Sequence, residues 1–189
     1  MTWLRNVLIA LLVIMSALVG ASYFLPDKIE VQQTMLLRQS PEEVYPYLNN
    51  PTEWQHWSVL NKTNDPSMIH LYGGPLQGKG ARLQWSGDKV GNGQLVFKES
   101  VEPSMIIYEQ ILTDDSASIH GSFTLASVSG GTQVSWSQQT VLKQTPIAKF
   151  FGLLQKHKME QEVIQGLQGL HTLLQNKGKK AGKVKFGSL

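Results

Sequence analysis

The chain has 189 residues, 41% of them hydrophobic and 16% charged, with a formal charge of +3 and no cysteine. That mixture is too apolar for a disordered chain and suits one domain with a short appendage, while the missing thiols exclude disulfides, thiolate metal sites and cysteine nucleophiles. The positive charge is local: Lys177, Lys179, Lys180, Lys183 and Lys185 lie in one terminal stretch, and with these five set aside the formal charge falls from +3 to −2, so the body lacks the basic face of a nucleic-acid-binding domain.

From Val7 to Leu25 the chain runs without a charge, about the length a helix needs to cross a hydrocarbon core. Arg5 and the terminal amine precede this segment, and Asp27 and Lys28 cancel after it. The positive-inside bias then predicts a cytoplasmic N-terminus and a single pass that leaves the rest of the chain outside the cytoplasm, in a compartment like the bacterial periplasm. The alternative is a cleaved signal peptide and a secreted product, because Val19-Gly20-Ala21 before Ser22 also satisfies a small-residue cleavage rule. Three parts are expected: a membrane anchor or signal segment over residues 1–26, a folded domain over 27–176, and a basic flexible tail over 177–189.

After Pro26, Ile29, Val31, Met35 and Leu37 fall at alternate positions with Glu30, Gln32, Thr34 and Arg38 between them, the pattern of a half-buried strand. Ser40-Pro41-Glu42-Glu43 supplies a capping residue, a first-turn proline and the glutamate of a capping box, so a helix to about Asn49 follows. Pro51 to Trp57 predicts a second short helical turn with Trp54 and Trp57 on one side.

Between Met68 and Leu142 the period changes to two. Leu83 with Trp85, Leu95 with Phe97, Ile119 with Phe123 and Leu125, and Val134 with Trp136 share apolar faces. Turn signals at Gly73-Gly74-Pro75, Ser86-Gly87-Asp88, Gly91-Asn92-Gly93 and Ser129-Gly130-Gly131 separate them, which predicts successive hairpins with one wet face. Beyond Pro146 the spacing becomes helical: Ile147, Phe150, Phe151, Leu154, Met159, Val163, Leu167, Leu170 and Leu174 mark one stripe through about Asn176. Gly152, Gly166 and Gly169 interrupt this helix at a cost of about 1 kcal/mol each relative to alanine, and at least one is expected to allow close approach to the sheet.

The order of strand, two short helices, antiparallel strands and one long helix resembles the START-related SRPBCC superfamily, in its polyketide cyclase/dehydrase-like group. The resemblance covers residues 28–176 and rests on Ser40-Pro41-Glu42-Glu43-Val44-Tyr45, Trp54-Gln55-His56-Trp57, Gly78-Lys79-Gly80, Trp85-Ser86-Gly87-Asp88, Gly91-Asn92-Gly93, Gly131-Thr132-Gln133-Val134-Ser135-Trp136 and Gly169-Leu170. It implies an α+β helix-grip fold, in which an antiparallel sheet wraps a long C-terminal helix around an apolar cavity that holds lipids, sterols or polyketides. It implies no fixed reaction, since fold does not carry function by itself.

Trp54, Trp57, Trp85, Phe97, Phe123, Trp136 and Phe151 are the candidate cavity walls, able to stack on a flat guest; plain core packing is the competing account. The Trp54–Trp57 pair is placed near the cavity mouth. Parity leaves the side of Glu109 open, because Tyr108 lies on an equally apolar face, and His120 is expected outside. No catalytic residue, metal site or cofactor is indicated: the five histidines are scattered, and neither a Gly-x-Ser-x-Gly elbow nor a phosphate-binding loop occurs. The sequence reading is a membrane-anchored module binding a hydrophobic small molecule or lipid, with a cyclase/dehydratase-like enzyme as the alternative. Oligomeric state is not read from it.

Overall fold

The computed structural model describes residues 2–113 and 118–186. A helix α1 (Thr2–Ser22) precedes strand β1 (Lys28–Leu37), helix α2 (Pro41–Asn49) and a 3₁₀ turn (Pro51–His56). Six strands follow, β2 (Ile69–Gly73), β3 (Arg82–Ser86), β4 (Gly93–Val101), β5 (Met105–Leu112), β6 (Ser118–Val128) and β7 (Gly131–Val141), and then the long helix α3 (Pro146–Phe186). The seven strands form one antiparallel sheet in the order β1-β7-β6-β5-β4-β3-β2. This is the α+β helix-grip arrangement that the family resemblance implied, with the hairpins and long helix expected from the residue pattern.

Local chemistry accounts for the elements. Ser40 Oγ accepts from the Glu43 amide while Glu43 Oε2 accepts from the Ser40 amide, so the two side chains cap α2 reciprocally. In β1 the alternate residues Ile29, Val31 and Leu37 are buried while Glu30, Gln32 and Thr34 are exposed. Register resolves the open parity of β5: Ile106 and Tyr108 point into the core, and Glu109 lies on the outer face, 2.7 Å from Lys98 Nζ. His120 is exposed on the same outer face.

The core lies between the inner face of the sheet, the segment from Val44 to Leu60, and Met159, Val163, Leu167, Leu170 and Leu174 of α3. Two glycines of α3 set its distance from this layer. A β-carbon at Gly169 would collide with the Trp57 carbonyl oxygen, and one at Gly166 would meet the Trp136 ring. The helix cannot sit this deep with a side chain at either position.

Two expectations are corrected here. The apolar stripe of α3 is divided: Met159 through Leu174 is buried, but Ile147, Phe151 and Leu154 are exposed, because the first turns extend past the area the sheet covers. The helix also continues beyond Asn176, through most of the stretch expected as a tail, to Phe186. No proline interrupts that stretch, its lysines and alanine are good helix formers, and extending an existing helix gains one hydrogen bond per residue fixed. Residues 187–189 lie outside the described residues.

Candidate functional site

Six of the seven aromatic residues expected to wall a cavity are buried, and most of them pack on each other. The Trp54 ring centroid lies 5.2 Å from Trp57, 5.8 Å from both Phe97 and Phe123, and 5.4 Å from Tyr108. The Trp136 ring is 4.8 Å from Phe123 and 5.7 Å from Trp57. Tilted and edge-on contacts of this kind set the positive rim of one ring on the negative face of the next. Trp54 Nε1 donates to the Leu48 carbonyl at 2.9 Å and Trp57 Nε1 to the Tyr47 carbonyl at 3.0 Å, so the pair is a pin between α2 and the core rather than a mouth. Phe151, the seventh, is 63% exposed and is no part of the interior.

Open space remains beside this cluster, toward the β3–β6 side of α3. A cavity of about 100 Å³ is bounded by Trp85 of β3, Gln110 and Leu112 of β5, Ile119 of β6, the loop residues Val59 and Leu60, and Gln155, Lys158, Met159 and Glu162 of α3. A second space of about 20 Å³ shares Val59, Leu60, Gln110 and Glu162 with it and reaches Trp54, Trp136 and Gln138. The two together are well below the roughly 300 Å³ of a typical small-molecule pocket, and near the size that admits a single aromatic ring.

The polar atoms around this space are unusual for a core. Tyr108, fully buried on β5, accepts hydrogen bonds at its Oη from Trp136 Nε1 at 2.8 Å and Gln138 Nε2 at 2.9 Å, and burial pushes its phenol well above the usual range. A β-carbon at Gly121 on β6 would overlap the Tyr108 ring, so only glycine gives the phenol its place. The opposite end of the Gln138 amide, Oε1, is buried without a hydrogen-bond partner, as is Trp85 Nε1. Unpaired buried polar atoms cost about 1–3 kcal/mol each. Glu162, with its side chain 29% exposed, borders both spaces. Its carboxyl is pushed up by desolvation, against a smaller opposing effect of Lys158, whose Nζ is 3.9 Å away. The site therefore combines apolar walls, two unmet hydrogen-bonding atoms and a carboxyl whose pKa desolvation raises.

The loop that closes the space is tied down by Asp65. Its Oδ1 accepts from the Ser67 hydroxyl at 2.6 Å and amide at 3.1 Å, and its Oδ2 from the amides of Lys89 at 2.7 Å and Val90 at 3.1 Å. Four donors lower its pKa to about 2, with the Ser67 hydroxyl contributing most.

Glu162, Gln138, Gln110 and the Tyr108 phenol do not figure among the residues expected from sequence. Gln138 carries a signal, since it continues the inward parity of Val134 and Trp136. Glu162 carries another, lying one helical turn beyond Met159 and beside Val163 on the covered face of α3. A larger depression of about 420 Å³ is lined by Ile69, Leu71, Gln84, Gln94 and Ile111, and shares Trp85 and Leu112 with the interior space. It is open and holds no titratable side chain, so the smaller interior space is the better chemical candidate.

Comparison with known proteins places this geometry. A protein of unknown function from Staphylococcus aureus aligns with a TM-score of 0.61 at 12% identity over 80% of this chain and 96% of its own. A protein from Chromobacterium violaceum aligns with a TM-score of 0.56 at 18% identity, covering 77% and 96% of the two chains. The di-domain aromatase/cyclase of the steffimycin biosynthetic pathway aligns with a TM-score of 0.61 at 10% identity, over 80% of this chain and 52% of that one. At such identities the likeness is one of fold. A comparison with curated proteins finds no match. The model of the family described as activator of Hsp90 ATPase homolog 1-like protein matches residues 38–175, from just after β1 to the last apolar turn of the buried part of α3. The chain belongs to that family, within the SRPBCC superfamily whose helix-grip fold it adopts.

Proposed function

We propose that the chain is a membrane-tethered binding module for a small, mostly apolar molecule bearing at least one polar group. The observation that carries this reading is the pair of buried atoms without partners, Trp85 Nε1 on a residue bordering the cavity of about 100 Å³ and Gln138 Oε1 on a residue bordering the adjoining space of about 20 Å³. A guest offering a donor to the first or an acceptor to the second would remove the desolvation cost each now bears, while Leu60, Leu112, Ile119 and Met159 take its apolar part. Glu162 borders the same space, and desolvation pushes its carboxyl up. The available volume matches a single ring, and a larger guest requires the Val59–Leu60 loop to withdraw. The tether is α1: residues Trp3–Ser22 are long and apolar enough to cross a membrane, and the charge distribution supports a domain outside the cytoplasm.

The test uses the full chain in lipid nanodiscs, titrated with phenol and indole and followed by calorimetry and thermal shift, beside native mass spectrometry of the protein as purified. Binding that weakens at least tenfold in Gln138→Leu or Trp85→Phe supports the assignment. The absence of both a copurified molecule and any response to the two probes would overturn it.

Glu162 also supports a second reading, a cyclase/dehydratase-like reaction in which this carboxyl hands a proton to the guest. A carboxyl raised by burial beside a cavity is the kind of group such chemistry uses. A space of about 100 Å³ cannot fold a long reactive chain, so this reading needs the loop opened and turnover abolished in Glu162→Gln while binding survives.

A further inference from the structure

The first turns of α3 bear an apolar surface that the domain leaves uncovered. Ile147, Phe151 and Leu154 are 70%, 63% and 67% exposed, and their spacing of four and three residues sets them on one helical face. Leu153 is also exposed. The helix is held to the domain on another side, where Gly152 lies against Leu142 and Lys149 pairs with Asp27. Adjacent large exposed side chains on one helix face mark an interaction surface rather than scattered surface residues.

The connection to α1 limits what can cover it. Asp27 is fixed to this end of the domain twice, by its carboxylate to Lys149 Nζ and by its carbonyl, which accepts from the Leu142 amide at 2.8 Å. Only Tyr23, Phe24, Leu25 and Pro26 separate Asp27 from the end of α1 at Ser22. Even fully extended this link spans roughly 17 Å, and α1 and α3 are already in contact. Tyr23 and Phe24 are almost wholly exposed, as expected of aromatic residues at a membrane interface. From Val141 to Met159 the sequence holds Lys143, Lys149, Lys156 and Lys158 and no acidic residue. An apolar helix face flanked by lysines is the composition of a helix lying in the plane of a bilayer, favoured by anionic headgroups.

We infer that the face of α3 formed by Ile147, Phe151 and Leu154 docks on the surface of the same bilayer that α1 spans. This rests on α1 as the tether and adds a second contact, which fixes the orientation of the domain. The turn that follows, Gln155 to Met159, borders the interior space. Docking therefore brings that space within about one helical turn, some 5 Å along the axis, of the lipid, and names the bilayer as the source from which an apolar guest enters.

The chain has no cysteine, so single labels report cleanly. Leu12→Cys, Phe151→Cys, Leu154→Cys and His120→Cys, each carrying an environment-sensitive fluorophore, are reconstituted in nanodiscs of equal parts phosphatidylcholine and phosphatidylglycerol. The lipids carry a spin-label quencher either near the headgroup or at mid-chain. Expected is loss of most emission with the mid-chain quencher at position 12, with the shallow quencher at positions 151 and 154, and with neither at 120. Adding Ile147→Glu to Phe151→Glu is expected to abolish the shallow quenching at 154 and leave that at 12 intact. Quenching at 12 with 151 and 154 behaving like 120 overturns the docking and spares the tether; no quenching at 12 overturns the tether and the docking with it. Shielding of 151 and 154 from an aqueous quencher without lipid quenching assigns the face to a protein contact and also overturns it.

Discussion

Gly169 of α3 lies against the backbone carbonyl of Trp57, so close that a β-carbon there would overlap the oxygen. The contact couples the helix to the segment that carries Trp54 and Trp57, and it is backbone on the Trp57 side, which cannot rotate away. In an exposed helix glycine to alanine is favourable, by up to about 1 kcal/mol. At Gly169 the sign reverses: Gly169→Ala is expected to destabilise by about 1–3 kcal/mol, the usual cost of overpacking. Gly178, with open space around it, serves as the control, and Gly178→Ala is expected to raise the melting temperature slightly. Thermal unfolding of both variants decides the point, and a stabilised Gly169→Ala would show that α3 does not sit where we describe it.

Tyr108 accepts from two buried donors, so Tyr108→Phe keeps the ring over Gly121 but strands Trp136 Nε1 and Gln138 Nε2. The expected loss is about 1–3 kcal/mol for a buried donor left unmet, seen as a lowered melting temperature of roughly 2–4 °C per kcal/mol in a chain of this size. An unchanged melting temperature would mean the two donors find other acceptors.

Glu162 is held toward its protonated form by burial, so ionising it opposes folding. The opposition is absent below the unfolded carboxyl value of about pH 4 and grows as pH rises from there through the raised folded value. Glu162→Gln is expected to match the native protein at low pH and to exceed its stability at neutral pH. The lost pairing with Lys158, long and solvent-screened, subtracts little. Melting curves across that pH range check the sign, and a variant less stable at neutral pH would contradict it.

Asp65 behaves oppositely. Its carboxyl is depressed to about 2, so its contribution is complete above the ordinary value near 4 and is lost as pH falls through about 2. In Asp65→Asn one of the two paired donor sets must face an amide nitrogen in place of an oxygen. Hydrogen exchange is expected to speed at the Lys89 and Val90 amides and along Val59 and Leu60, with the α2 amides unaffected. Unaltered exchange at Lys89 would remove Asp65 as the tie of this loop.

Much of the fold was legible because its signals are local. The parity of Ile29, Val31 and Leu37, the capping pair Ser40 and Glu43, and the glycine-marked turns each depend on a few neighbouring residues, and all appear in place. The division of α3 was not legible, because Ile147, Phe151 and Leu154 keep the same spacing as the buried Met159 and Val163. What separates them is how far the sheet reaches, a property of the assembled domain. Nor was the size of the interior space, which is the small residue left after six large aromatic side chains fill the grip. Gln138 and Glu162 were readable by position on their elements, but a single polar residue at an apolar position carries little signal beside a run of aromatic ones.

Strands β1 and β2 follow one another in sequence yet stand at opposite margins of the sheet, and the segment between them is a strap thrown across the inner surface. The remaining strands assemble as a chain of neighbouring hairpins, whereas β1 reaches its partner, β7, across about a hundred residues. Contacts of such separation are slow to form, and here the closing event also carries Trp54 and Trp57 into the middle of the molecule. The topology thus makes one long-range clasp the expected slow step of folding, with the strap joining both margins.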